Sequence, residues 1–174
     1  MLRLHCSPDL AEAPQAACLE RLTQVAHRTL SCHNAGGLVD VILTSDDEVC
    51  RLNSMYRGRN QATDVLSFSF VENGPQAIVA EECCVAEDIP AGEVYISVER
   101  ATAQADDLNV SHEEELARLL VHGLLHLAGY DHQTEAELCV MEQLTESLLF
   151  ADPAQPGATH KPDPSWPTDS PKGV

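Results

Sequence analysis

No stretch of this chain comes near the roughly 18 consecutive apolar residues that mark a membrane span. A soluble protein without a membrane partner is expected. The first residues, MLRLHCSPDLAEAP, lack the apolar centre of a signal peptide, and their acids argue against an arginine-rich transit peptide. No CxxC pair occurs, and the seven cysteines are an odd number. With the missing export signal, this reads as reduced thiols in a cytoplasmic setting. Cys83 and Cys84 are adjacent, and neighbouring cysteines rarely close a structural disulfide because the bond strains the peptide between them. Surface thiols are the plain reading of that pair. Internal repeats are absent. Positive charge is scarce: 10 Lys and Arg stand against 28 Asp and Glu, a formal net charge of -18. That balance alone argues against a nucleic-acid binder, which gains affinity by neutralising phosphates. One segment breaks the pattern, because Arg51, Arg57 and Arg59 fall within RLNSMYRGR, residues 51–59, which holds no acid.

What is present suits one folded unit. The 174 residues, 44% of them apolar, are enough for one ordinary core and too few for two comfortable domains. We expect that unit in residues 1–150. From Ala151 the chain reads ADPAQPGATHKPDPSWPTDSPKGV, with six of the ten prolines, and a disordered tail over 151–174 is expected, its Trp166 solvated. In CLERLTQVAHRTL, Cys18, Leu22, Val25 and Thr29 share a helical stripe with Leu19, Ala26 and Leu30 beside it, and GGLVDVILT then reads as a strand. SDDE at Ser45–Glu48 has capping-box spacing and opens a helix that Gly58 stops. DVLSFSF alternates, which predicts a strand with Leu66, Phe68 and Phe70 buried on one face. EVYISV is a further strand and RATAQADDL a short helix. The acidic, turn-rich segment between these strands, residues 72–92, is expected to be a long loop. Ser111–Glu114 and Thr134–Glu137 repeat the capping-box spacing ahead of apolar helical patterns. Strands interleaved with helices predict an α+β domain, with a mixed sheet of about four strands packed against helices.

The segment VHGLLHLAGYDH, residues 121–132, carries the chemistry. His122 and His126 are four apart and share one helical face. Gly129 suits the position just past a helix end and turns the chain sharply, so that His132 returns over that face. A single histidine on an apolar face is usually a hydrogen-bonded core residue. Three at this spacing are different, because several buried imidazoles need partners and one metal ion satisfies them all. Three protein ligands leave a fourth position for water, the arrangement of a catalytic rather than a structural zinc site. The spacing matches the metzincin peptidase motif HExxHxxGxxH except that Gly123 stands where those enzymes carry glutamate. Glycine transfers no proton, so peptide hydrolysis by their route is not expected. Three neutral imidazoles leave the full +2 charge of an ion uncompensated, which favours an anionic substrate, and phosphodiesters are the obvious class.

The motif HGLLHLAGYDH resembles the signature of the YbeY endoribonucleases, or rRNA maturation factors. LNSMYRGRNQATDVLSFSF, residues 52–70, is similar to that family's second hallmark, and AGEVYIS matches more loosely. Gln61, Ala62 and Ser69 depart from it where proline is common. The resemblance implies a metzincin-like metal-binding helix and a single-strand-specific, metal-dependent endoribonuclease acting in ribosomal RNA processing and ribosome quality control. It implies one Zn2+ per chain, which Ni2+ could replace at imidazole ligands, held by His122, His126 and His132. Arg57 becomes the catalytic cleft arginine, and single-stranded rRNA, with the ribosome or its proteins, the partner; DNA is not expected.

On that reading Arg57 holds a non-bridging phosphate oxygen. Composition alone would make it a surface ion pair, but its acid-free setting and the family match outweigh that. Arg59 is either an auxiliary phosphate contact or simply solvated. Asp64 caps or bonds locally, Asp131 either orients a histidine or sits exposed in the turn, and His112 is an ordinary surface histidine. Two rivals stand: a metallopeptidase with a base recruited from elsewhere, and a non-enzymatic assembly factor braced by its metal.

Overall fold

The computed structural model describes residues 1–33, 37–70 and 90–150. The readings of Cys83, Cys84, Trp166, the tail and most of the acidic loop lie outside them. The described elements run β1 (Leu2–Cys6), α1 (Ala16–Cys32), β2 (Leu38–Thr44), α2 (Asp46–Arg57), β3 (Val65–Ser69), β4 (Pro90–Ser97), α3 (Val98–Leu108), α4 (His112–Leu127) and α5 (Glu135–Leu149). None of these helices is long and apolar enough to cross a membrane. The strands form one mixed sheet in the order β1-β2-β4-β3. β1 and β4 flank β2 in parallel, while β3 pairs antiparallel with β4 and forms an edge. The α+β expectation therefore holds, four strands included.

Local boundaries differ in instructive ways. β1 was not expected, yet Leu2, Leu4 and Cys6 turn inward while Arg3 and His5 face solvent. Residues 90–92, expected in the loop, belong to β4, because Gly92 pairs with Val39 and Ser69, Pro90 pairs with Leu38, and Ala91, the extra residue of a bulge against β2, accepts from Phe70 N–H. Proline is tolerated there as the first residue of a strand. Val98 leaves the strand for α3, whose start the Ser97 hydroxyl caps by accepting from Arg100 N–H at 3.1 Å. Of the three expected capping boxes only Thr134–Glu137 closes in both directions; Ser45 and Ser111 accept from Glu48 and Glu114 without the reciprocal bond. Phe70 corrects the strand reading: it is 52% exposed, because β3 ends at Ser69 on the sheet's edge. The five described cysteines are free thiols, with Cys18 buried and Cys139 exposed.

α4 organises the core. One side packs Leu116, Leu120, Leu124 and Leu127 against Val39, Val41 and Leu43 of β2 and Val94 and Ile96 of β4. The other places Val121 and Leu125 against Val25, Tyr130, Met141 and Leu148. Each fully buried leucine contributes about 1.5–3 kcal/mol, so the axis of this helix is fixed along most of its length. α2 covers the opposite face of the sheet, where Val49 and Leu52 meet Leu66, Phe68 and Tyr95. The C-terminal end of α4 and the edge strand β3 thus lie side by side, with the end of α2 reaching round from behind.

Candidate metal centre

α4 ends in a Schellman motif, as the glycine predicts: Gly129 N–H donates to His126 O and Tyr130 N–H to Leu125 O, each at 3.0 Å. Gly129 sits at φ +93°. Tyr130 then plugs the core beside Leu125, and the chain reverses. That reversal brings the His132 ring to 5.2 Å, centroid to centroid, from both His122 and His126, which are themselves 4.8 Å apart. The three rings each offer one nitrogen, all within 4.8 Å of one another, and could hold a metal ion.

The donor set fits such an ion. His126 Nδ1 lies 2.9 Å from the Tyr130 carbonyl, and a carbonyl only accepts, so Nδ1 carries the proton and Nε2 keeps its lone pair. That lone pair faces His122 Nε2 at 3.1 Å. Zn–N bonds of about 2.0–2.1 Å in a tetrahedron put neighbouring nitrogens roughly 3.3–3.4 Å apart, close to this spacing. Burial first, then the neighbouring His126 and His132, pushes His122 down to about 4, with Asp64 opposing. His126 is also lowered, by burial and then His132, while the Tyr130 carbonyl pulls the other way. Both rings are therefore neutral at pH 7, as metal ligation requires.

Two expected outcomes follow. In metal-free protein the unfolded chain takes up protons at His122 near its ordinary 6.5 while the folded chain resists until about 4, so stability rises with pH across that window. Urea denaturation with chelator present, repeated between these limits, should show the unfolding midpoint falling as the pH is lowered. Gly129→Ala adds a side chain at positive φ with nothing within 4 Å of its Cβ, so the cost is backbone strain alone, about 1–2 kcal/mol. The same melts should report it, accompanied by weaker metal binding because the turn sets His132.

Around the triad, Arg57 ends α2 and places Nη2 3.5 Å from Ser67 O, and its charge adds to the lowering of His126 that burial begins. Among the described residues Arg57 and Arg59 form no ion pair, whereas Arg51 is tied by two 2.7 Å bonds to Glu48. The acid-free stretch is therefore not free of acid in space, and its outward charge is Arg57 and Arg59. Asp64 bonds locally as expected, accepting from Val65 N–H and Thr63 Oγ1, but also from Gln104 on α3. Exposed Asp131 accepts the His132 backbone N–H at 2.8 Å, which fixes the turn rather than an imidazole. His112 is only partly exposed, and its Nε2 is buried. Tyr130 went unread in the sequence; an aromatic residue directly after the helix-ending glycine was the available signal.

Gly123 faces the sheet. A Cβ there would lie 2.6 Å from Val94 Cγ1, 3.0 Å from Val65 Cγ2 and 3.1 Å from Ser67 Oγ. Ser67 Oγ donates to the Gly123 carbonyl at 3.0 Å. The glycine is thus explained by close helix–sheet approach.

Comparison with known proteins points one way. The family model described as Endoribonuclease YbeY matches residues 7–151. A curated relative of that name from Caldanaerobacter subterraneus subsp. tengcongensis is 41% identical over 112 residues, 64% of this chain and 71% of the relative. One from Symbiobacterium thermophilum is 39% identical over 134 residues, 75% of this chain and 83% of the relative. One from Bacillus subtilis is 43% identical over 114 residues, covering 65% and 71%. The solution structure of a Thermotoga maritima protein is similar at 28% identity with a TM-score of 0.54, over 85% of this chain and 89% of that one.

Proposed function

The chain belongs to the Endoribonuclease YbeY family, and on that premise we propose that it is a metal-dependent endoribonuclease for single-stranded RNA. Its target is ribosomal RNA during processing and quality control in the cytoplasm, with the ribosome as partner. The activity resides in residues 1–150. The observation that carries this reading is the convergence of three imidazoles beside an arginine that has no carboxylate partner among the described residues.

His122, His126 and His132 would hold one Zn2+ or Ni2+; when bound, such an ion acidifies water towards neutrality and polarises a phosphoryl oxygen. The protein's own groups do the rest. Tyr130 holds His126 in the tautomer that presents Nε2. Arg57 is an exposed cation at the rim, suited to a non-bridging oxygen and to the charge that grows on it in the transition state. No carboxylate base stands at position 123, and phosphodiester cleavage does not require the peptidase glutamate.

The test compares purified, metal-loaded protein on unstructured RNA, duplex RNA and casein. Cleavage of unstructured RNA alone is expected; cleavage of casein alone would overturn the assignment in favour of a peptidase. With a chain this acidic, RNA is drawn by the metal centre and a few arginines against a repulsive background, so the cleavage rate should fall as salt is raised.

A further inference from the structure

The back of the site is aromatic. Tyr56 is 64% and Met55 61% exposed on the last turn of α2, directly before Arg57. The Tyr56 ring is held by Phe68 at 5.1 Å between centroids with planes at 60°, and Phe68 in turn meets Tyr95 at 6.0 Å and 79°. Tyr95 is anchored by donating its hydroxyl to Glu93 at 2.9 Å. Phe70, 52% exposed, follows Phe68 by two residues just beyond the end of β3, its N–H donating to Ala91 O at 3.0 Å. An exposed ring already held against a neighbouring aromatic loses little further freedom when a ligand stacks on it.

This ledge lies across edge strand β3 from the triad. Phe68 points towards α2, whereas Ser67 points to Gly123 on α4, and Arg57 spans the edge between them at Ser67 O. Among the described residues Arg28, Arg57 and Arg59 are the arginines without a carboxylate partner, and the last two give this rim a positive charge in a chain of net charge -18. Flat apolar faces next to unpaired cations complement one kind of ligand: a strand alternating exposed bases with phosphates. Resting on the RNA reading above, we propose that Tyr56, backed by Phe68 and extended by Met55 and Phe70, seats an unpaired base of the strand whose phosphate Arg57 holds. A duplex keeps its bases stacked on one another and gains nothing here, so the ledge supplies the preference for single strands.

The test measures binding of a labelled unpaired RNA octamer to the full-length, metal-loaded protein, beside the same octamer carrying abasic riboses. Tyr56→Ala is expected to weaken binding of the intact octamer by roughly 5- to 150-fold, the range for losing one stacked base, and to leave the abasic octamer unaffected. Tyr56→Phe, which keeps the ring, should restore wild-type binding. Circular dichroism melts check the fold, which an exposed side chain scarcely supports. The proposal is overturned if Tyr56→Ala binds like wild type, if both octamers weaken equally, if the wild type binds neither, or if Tyr56→Ala loses unfolded casein rather than RNA. Ring-dependent binding without cleavage would keep the ledge and remove the nuclease; cleavage unaffected by Tyr56→Ala would do the reverse.

Discussion

His126→Ala is expected to lose bound metal and RNA cleavage together while remaining folded. The side chain is only partly buried, and outside the triad its described hydrogen bond to the fold is from Nδ1 to the Tyr130 carbonyl, worth about 0.5–1.5 kcal/mol. Against a domain stability of about 5–15 kcal/mol that loss is tolerable. The effect on metal is of another order. Losing a group that merely orients a ligand costs about 10- to 100-fold in affinity or activity, and His126 is a ligand candidate at the centre of the set, so the drop should exceed 100-fold. Elemental analysis and cleavage of unstructured RNA, on wild type and variant purified side by side, read both effects. A variant that keeps one ion per chain would sink the triad. One that stays folded, loses metal and still cleaves would show that the metal has no part in the chemistry.

The triad was legible because its geometry is written in spacing: four residues set two rings on one helical face, and a glycine at the helix end returns the third. Helix starts were legible for a similar reason, since Ser45, Ser111 and Thr134 each do cap in place. What escaped depended on neighbours distant in sequence. β1 is five residues long, and its alternation means little until β2 lies beside it. The strandness of residues 90–92 is conferred by partners on both sides. Phe70 alternates correctly with Phe68, yet burial depends on whether α2 extends over it, which no local pattern states. Arg51 looked like part of a basic patch because charge was read along the chain, whereas Glu48 sits one helical turn away and neutralises it. Tyr130 serves through its backbone carbonyl, the part of a residue that sequence identity says least about.

The same difference between pattern and packing governs the second large effect. Read by motif, Gly123→Glu restores the peptidase signature and should create a proteolytic base. Packing predicts instead that it destabilises the domain without conferring casein cleavage. Position 123 points at Val94, Val65 and Ser67, and even a Cβ comes within 2.6 Å of Val94 Cγ1. Overpacking of this kind costs about 1–3 kcal/mol for added methylenes, and a carboxylate forced against two valines adds several more unless it takes a proton. Replacing a mid-helix glycine returns at most about 1 kcal/mol. A net loss of about 3 kcal/mol or more lowers the melting temperature by roughly 10 °C or beyond for a domain of this size. Gly123→Ala, with the collision but without the charge, should fall between the two. Thermal melts of both variants separate the accounts: a Gly123→Glu protein that melts with the wild type and digests casein would mean that this position opens into the site, and that the glycine is a missing catalyst rather than the contact that lets α4 lie close on β3 and β4.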